Sequence, residues 1–230
     1  MINKICADME SVLKHIPDGA RIMTSGFGTT GQPMELIEAL LDLGTRDLTL
    51  INNNAASGDH GLTKLLQAGR VKKMICSFPK SNNSSVFEEL YRQNKIELEL
   101  VPQGNLACRI QAAGAGLGAV FTPTGYGTLL AEGKETRKIN GKDYVLEYPI
   151  DADFALISAF QADRWGNLTY RKTARNFGPI MAKAAKRTIV QVKEIVELGT
   201  LDPEAIITPG IFVQHVIKVE GGTHDSAKNP

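Results

Sequence analysis

The stretch SGFGTTGQP, residues 25–33, concentrates the residue types that hold an oxygen anion. Gly26, Gly28 and Gly31 stand in the order G-x-G-x-x-G between an apolar run, Arg21-Ile22-Met23-Thr24, and a segment with helical periodicity. Glycine lets backbone amides approach a ligand closely, and a helix N-terminus adds partial positive charge. The loop therefore suits a carboxylate, a phosphate or the oxygen of a thioester carbonyl. A tight strand-to-helix turn without a ligand would use the same residues. A dinucleotide site would also need an acidic residue at the end of the next strand, for the ribose hydroxyls. That position holds Asn52-Asn53-Asn54, Asp47 lies at the strand's other end, and Pro33 opens the helix just after the last glycine. The glycine spacing does not mark a dinucleotide site.

Two more polar clusters follow apolar runs. Asn53-Asn54 come after DLTLI (47–51), and Gln103-Gly104 come after KIELELV (95–101). Neutral amides steady a developing oxyanion through their dipoles without competing as base or nucleophile. The local alternatives are an Asx turn at Asn53-Asn54 and a cap from Gln103 on a helix beginning near Asn105. TPTGYGT (122–128) repeats the glycine-and-hydroxyl theme. Nucleophiles lack company: Ser25 and Cys76 have no partner base marked by context, and Cys76 in an apolar run reads as buried. His15, His60, His215 and His224 form no metal pair, and His215 reads as a core histidine. Cys6, Cys76 and Cys108 are odd in number and far apart, with neither disulfide nor metal spacing. No metal is expected. The basic group Arg171, Lys172 and Arg175 could meet phosphate, although a solvated face or an intersubunit contact is the simpler reading.

The elements around these groups have to bring them together. Strand-like runs at 21–24, 47–51, 71–78, 95–101 and 118–121 alternate with helix-like runs near 33–43, 61–69, 86–93 and 105–113. An amphipathic run opens the chain at residues 5–16, and Gly44 is placed as a helix C-cap. The alternation predicts an α/β fold, an open, largely parallel sheet with helices on both faces. The carboxyl ends of parallel strands share one edge, where ligands bind in such sheets. Asn140-Gly141 between two extended arms predicts a β-hairpin elaboration. ADFALISAF and GNLTY read as another strand pair, with late strands at 187–192 and 211–219. Residues 1–220 read as a single domain and 221–230 as a polar, frayed tail.

The 230 residues are 43% hydrophobic, and 26 basic against 25 acidic side chains leave a net charge of +1. That balance argues against a nucleic-acid partner. No run approaches the roughly 18 apolar residues of a membrane span, and Asp8 and Glu10 interrupt any signal-peptide core. A cytoplasmic location is expected.

Long stretches of the chain resemble the A-type half of the family I CoA-transferases. They are DGARIMTSGFGTTGQP (18–33), NNAASGDHGL (53–62), PQGNLACRIQAAGAGLGAVFTPTGYGTLLAEGK (102–134), ADRWGNLTYRKTARNFGPIMA (162–182) and ITPGIFVQHVIKV (207–219). The resemblance implies transfer of CoA between carboxylic acids through a glutamyl-CoA thioester. The glutamate belongs to a Ser-Glu-Asn-Gly-type motif on the complementary, B-type half. This chain has no such motif (Glu132-Gly133 lacks the rest), so it would supply half an active site, in an A2B2 assembly. No bound cofactor is implied; CoA enters as a thioester substrate.

By the same resemblance Gln103 is the oxyanion donor. Asn53 and Asn54 are paired substrate-site asparagines, and Gly26, Phe27, Gly28 and Gly31 are substrate-binding residues beside the glutamate of the complementary half. The usual NNAG reads NNAA here, with Ala56 in the glycine position. CSFP (76–79) and RWGNLTYRK (164–172) are most similar to the branch that uses succinyl-CoA and 3-oxoadipate, although KSNNSS (80–85) departs from it. Acetoacetate or another short-chain acid is the alternative acceptor. A binding module for acyl-CoA or sugar phosphate, without catalysis, is the alternative of another class.

Overall fold

The computed structural model describes residues 1–55, 58–80 and 84–220. The chain opens with β1 (Ile5–Cys6) and α1 (Met9–Leu13), then alternates through β2 (Arg21–Thr24), α2 (Met34–Leu43), β3 (Leu48–Ile51), α3 (Leu62–Gln67), β4 (Val71–Cys76), α4 (Val86–Arg92), β5 (Glu97–Leu100) and α5 (Gln103–Gly114). Three strands follow, β6 (Val120–Thr122), β7 (Thr136–Ile139) and β8 (Lys142–Glu147). The chain then returns through β9 (Ala152–Ala162), β10 (Leu168–Thr169), α6 (Gly178–Ala184), β11 (Ala185–Ile195) and β12 (His215–Lys218).

Local chemistry sets these boundaries. Pro33 precedes α2, and Gly44 ends it in the left-handed conformation at φ +77°, where glycine meets no Cβ penalty. Leu36, Ile37 and Leu40 form the buried face of α2.

The main sheet runs β1-β12-β11-β9-β2-β3-β4-β5, with β10 antiparallel to β9 and every other pairing parallel. Successive residues point to opposite faces. Ile22, Leu50, Met74, Leu156 and Ile189 pack with α1–α4 on one side. Met23, Ile51, Ile75, Ala155 and Val190 pack with α5 and α6 on the other. From β2 the chain steps outward to β5, and from β9 it steps outward the opposite way. The strand order therefore reverses between β2 and β9, where open sheets form a crevice.

The predicted α/β class holds, with three corrections. Residues 118–121 do not add a fifth strand to the parallel sheet. Instead β6 pairs antiparallel with β8, which pairs with β7, in a separate three-stranded sheet. The hairpin turns through Asn140 and Gly141 at φ +49° and +80°; a two-stranded hairpin is marginal alone, and β6 supplies its third strand. The opening run is not one helix: Ile5–Cys6 extends along β12, and Asp8 then caps α1 by accepting the amides of Glu10 and Ser11. The last strand starts only at His215, because Gly210–Phe212 forms a 3₁₀ turn packed against Trp165.

Asp153 staples the strands at the reversal. Its carboxylate accepts the Arg21 amide of β2 (3.0 Å) and pairs with Lys186 of β11 (2.9 Å). The Arg21 amide, then Lys186, hold its pKa below the usual carboxylate range. A depressed pKa stabilises the fold above the unfolded value, about 3.9 for aspartate, and that contribution disappears as pH falls through the folded value. Asp153→Asn is expected to lower the urea midpoint at pH 7, and the difference from the native chain should narrow as pH falls below about 4.

Candidate active site

The glycine loop leaves β2 at the reversal and is fastened by side chains from distant segments. The Ser25 amide donates to the Leu156 carbonyl (3.0 Å). The Ser25 hydroxyl donates to the Gly31 carbonyl (2.6 Å) and accepts the Ser158 amide (3.1 Å). Phe27 and Thr30 exchange two backbone hydrogen bonds. Asn176 clamps the loop twice: its Oδ1 accepts the Gly26 amide (3.1 Å) and its Nδ2 donates to the Thr30 carbonyl (2.9 Å). Asn54 Oδ1 accepts the Gly28 amide (2.9 Å). Gly31 adopts φ +76°, and a Cβ there would lie 2.5 Å from the Ala174 carbonyl oxygen. Its glycine is required by close packing as well as by conformation.

This geometry changes the expected role of the loop. The amides of Gly26 and Gly28 are occupied by asparagine side chains. One amide of the first turn of α2 is occupied too. Gln191 Oε1 accepts the Leu36 amide (3.1 Å), and Gln191 Nε2 donates to the Glu35 carboxylate. The loop is a braced turn whose tip presents Phe27, half-exposed, rather than an open cradle of amides.

Next to it the asparagines form a chain across strand ends. Buried Asn52 donates to the Thr24 carbonyl (2.5 Å) and accepts the Asn54 amide (2.9 Å). The Asx turn is therefore real, but Asn52 makes it. Asn53 is buried: its Oδ1 accepts the Ser77 hydroxyl (2.7 Å), and its Nδ2 donates to Asn54 Oδ1 (3.0 Å). Asn54 is partly exposed, and its Nδ2 takes no partner among the described residues. Gln103 begins α5 with no capping bond and an exposed side chain. It shares the sheet edge but follows β5, two strands beyond β3, about 10 Å at the usual strand spacing. Gly28, Asn53 and Asn54 thus come together directly, and Gln103 stands apart. The 122–128 loop is tied instead to α5, through Asn105. That buried side chain donates to the Thr124 carbonyl (3.1 Å) and Glu147 (3.2 Å), and accepts the Thr122 hydroxyl (3.0 Å).

Neutral amides gathered at a strand edge without a base suit acyl-oxygen chemistry completed elsewhere. A coenzyme A transferase family profile matches residues 7–219. The chain belongs to that family. It is 66% identical to the A-type chain of 3-oxoadipate CoA-transferase from Acinetobacter baylyi, over 96% of each chain. It is 45% identical to the A-type chain of succinyl-CoA:3-ketoacid coenzyme A transferase from Helicobacter pylori, over 95% of this chain and 94% of that one. The acyl-CoA transferase of E. coli O157:H7, solved as a thioester complex with CoA, superposes with a TM-score of 0.82 at 25% identity. The match covers 95% of this chain and 47% of that one, so this chain spans about half its length.

In this transferase chain neither sequence-marked nucleophile is available. Both faces of the Ser25 hydroxyl are engaged, and burial pushes the Cys76 thiol up to about 12. His215 is half-buried rather than fully in the core. Its Nδ1 lies 3.4 Å from Cys6 Sγ, and burial first, then Arg187 and His15, lower its pKa. Among the described residues no His, Cys, Asp or Glu group could hold a metal. Ala56, residues 81–83 and the tail lie outside the described residues. Sequence reasoning missed Asn176 and Gln191 as loop-fixing residues. Each acts on a segment about 150 positions away, and no local pattern announces such a contact.

Two outcomes follow from this packing. Gly31→Ala should destabilise the chain by more than about 1 kcal/mol, and by more than Gly28→Ala, whose Cβ would meet open space; urea unfolding compares them. Iodoacetamide at pH 7.5 should modify exposed Cys108 in the folded chain and reach Cys76 only after denaturation.

Proposed function

We propose that this chain is the A-type half of a heteromeric, cytoplasmic CoA-transferase that moves CoA from succinyl-CoA to 3-oxoadipate. The observation that carries the acceptor is the contrast in identity, 66% to the 3-oxoadipate enzyme's chain and only 45% to the 3-ketoacid enzyme's. A glutamate supplied by the complementary chain attacks the succinyl thioester carbonyl, giving an acyl-glutamyl anhydride and CoA thiolate. The thiolate returns to form glutamyl-CoA and releases succinate. The 3-oxoadipate carboxylate then repeats the exchange in reverse, leaving with CoA and regenerating the glutamate.

Each step passes through a tetrahedral oxyanion. The Gln103 amide donates to it, and Asn54 Nδ2, oriented by Asn53 and Gly28, positions the acyl group. Two features support the half-site reading. Among the described residues neither Ser25 nor Cys76, the two nucleophiles the sequence marks, is competent. Phe27 and Phe78, 50% and 53% exposed, flank Asn54 at the sheet edge and fit coverage by a complementary chain in an A2B2 assembly. Among the described residues no helix is long and apolar enough to cross a membrane.

The test is co-purification with the glutamate-bearing chain, followed by assay of transfer from succinyl-CoA. Preference for 3-oxoadipate, with neither chain active by itself, is the expected result. Preference for acetoacetate would replace the acceptor and keep the chemistry. No transfer to either acid would favour a binding module. Gln103→Ala should lower kcat about 100- to 1000-fold with the assembly intact by gel filtration.

A further inference from the structure

The basic group Arg171-Lys172, unexplained by the chemistry above, lines a cleft at the strand-order reversal. Thr29, Gly31 and Gln32 of the glycine loop line it as well. Met34, Ala159, Phe160 and Val192 make it largely apolar, and Arg171, Lys172 and Lys193 stand exposed on its lining. Among the described residues none of the three cations is in an ion pair. Glu35 is the one carboxylate lining the cleft, and it is already held by Gln191.

The cleft thus carries three cations against one carboxylate. Arg171 sits 5.9 Å from the centre of the Phe160 ring, which keeps its guanidinium at the apolar wall. Lys172 adopts φ +50°, a backbone conformation that lysine keeps only when its surroundings impose it.

We infer that this cleft is the subsite for the distal carboxylate of a dicarboxylic acyl group, with its methylenes against the apolar wall. The inference rests on the proposed function and deepens it. Succinyl and 3-oxoadipyl groups share one feature that acetoacetyl lacks, a second carboxylate at the end of a short aliphatic chain. Apolar walls beside uncompensated cations match that combination.

The experiment uses the two-chain complex, carrying Lys172→Gln, Lys193→Gln or both. In double-displacement kinetics kcat/KM for each acid reports its own half-reaction. The double variant should lose about 10- to 100-fold in kcat/KM for 3-oxoadipate, change less than about 2-fold for acetoacetate, and recover with Lys172→Arg and Lys193→Arg. Calorimetric titration supplies a readout without turnover: succinate should bind the native complex and lose affinity in the variant, with butyrate indifferent to the change.

Equal losses for both acids, with a raised KM for CoA thioesters, would assign the cations to CoA phosphate and overturn the inference. Loss of the complex on gel filtration would assign them to an intersubunit contact and also overturn it. A native complex that transfers CoA to neither acid refutes the proposed function; succinate binding that ignores the charge change refutes the subsite.

Discussion

Between β2 and β9 two neighbouring strands lead the chain in opposite directions, and Ser25 bridges the point where they separate. Its amide continues the ladder to Leu156, while its hydroxyl joins the Ser158 amide of β9 to the far end of the glycine loop at Gly31. The loop can leave the sheet, turn back and still be fixed to both strands. Asn176, Asn54 and Gln191 then brace what Ser25 has set in place. That bridge fixes the loop to β9, and through Gly28 the loop meets Asn54 at the sheet edge.

Much of this was legible beforehand, for reasons that differ by element. α2 was readable because Pro33, the Leu36–Leu40 face and Gly44 all act within one segment. The hairpin was readable because Asn140-Gly141 specifies its own turn. The edge cluster at Asn53 and Asn54 was readable because parallel strands must end on the same side. Sheet membership was not: β6 has the composition of a parallel strand, and a hairpin more than ten residues downstream captures it. The bracing of the loop was hidden for the same reason. The glycines advertise a close approach but cannot say what approaches, and here it is Asn176 and the Ala174 carbonyl rather than a ligand alone.

The division of labour between two chains follows from how each polar group is used. A serine whose hydroxyl is fully engaged, a thiol pushed up to about 12 by burial and amides that neither attack nor titrate make a surface that can orient an acyl group without reacting with it. A family whose chemistry runs through a covalent carboxylate intermediate benefits from such inertness, since a competing base beside an anhydride would divert it to water.

The Ser77–Asn53–Asn54 chain has a direction. The Gly28 amide can only donate, so the Asn54 atom facing it must be oxygen, and the Asn53 atom sharing that oxygen must be nitrogen. Asn53 then turns its own oxygen to the Ser77 hydroxyl. Every bond runs head to tail, each polarising the next, and the series ends in a hydrogen at Asn54 Nδ2. The edge is therefore a one-way filter. It welcomes the lone pairs of a carbonyl or carboxylate, and a group that offers a hydrogen instead meets a donor that cannot turn round without breaking two bonds behind it.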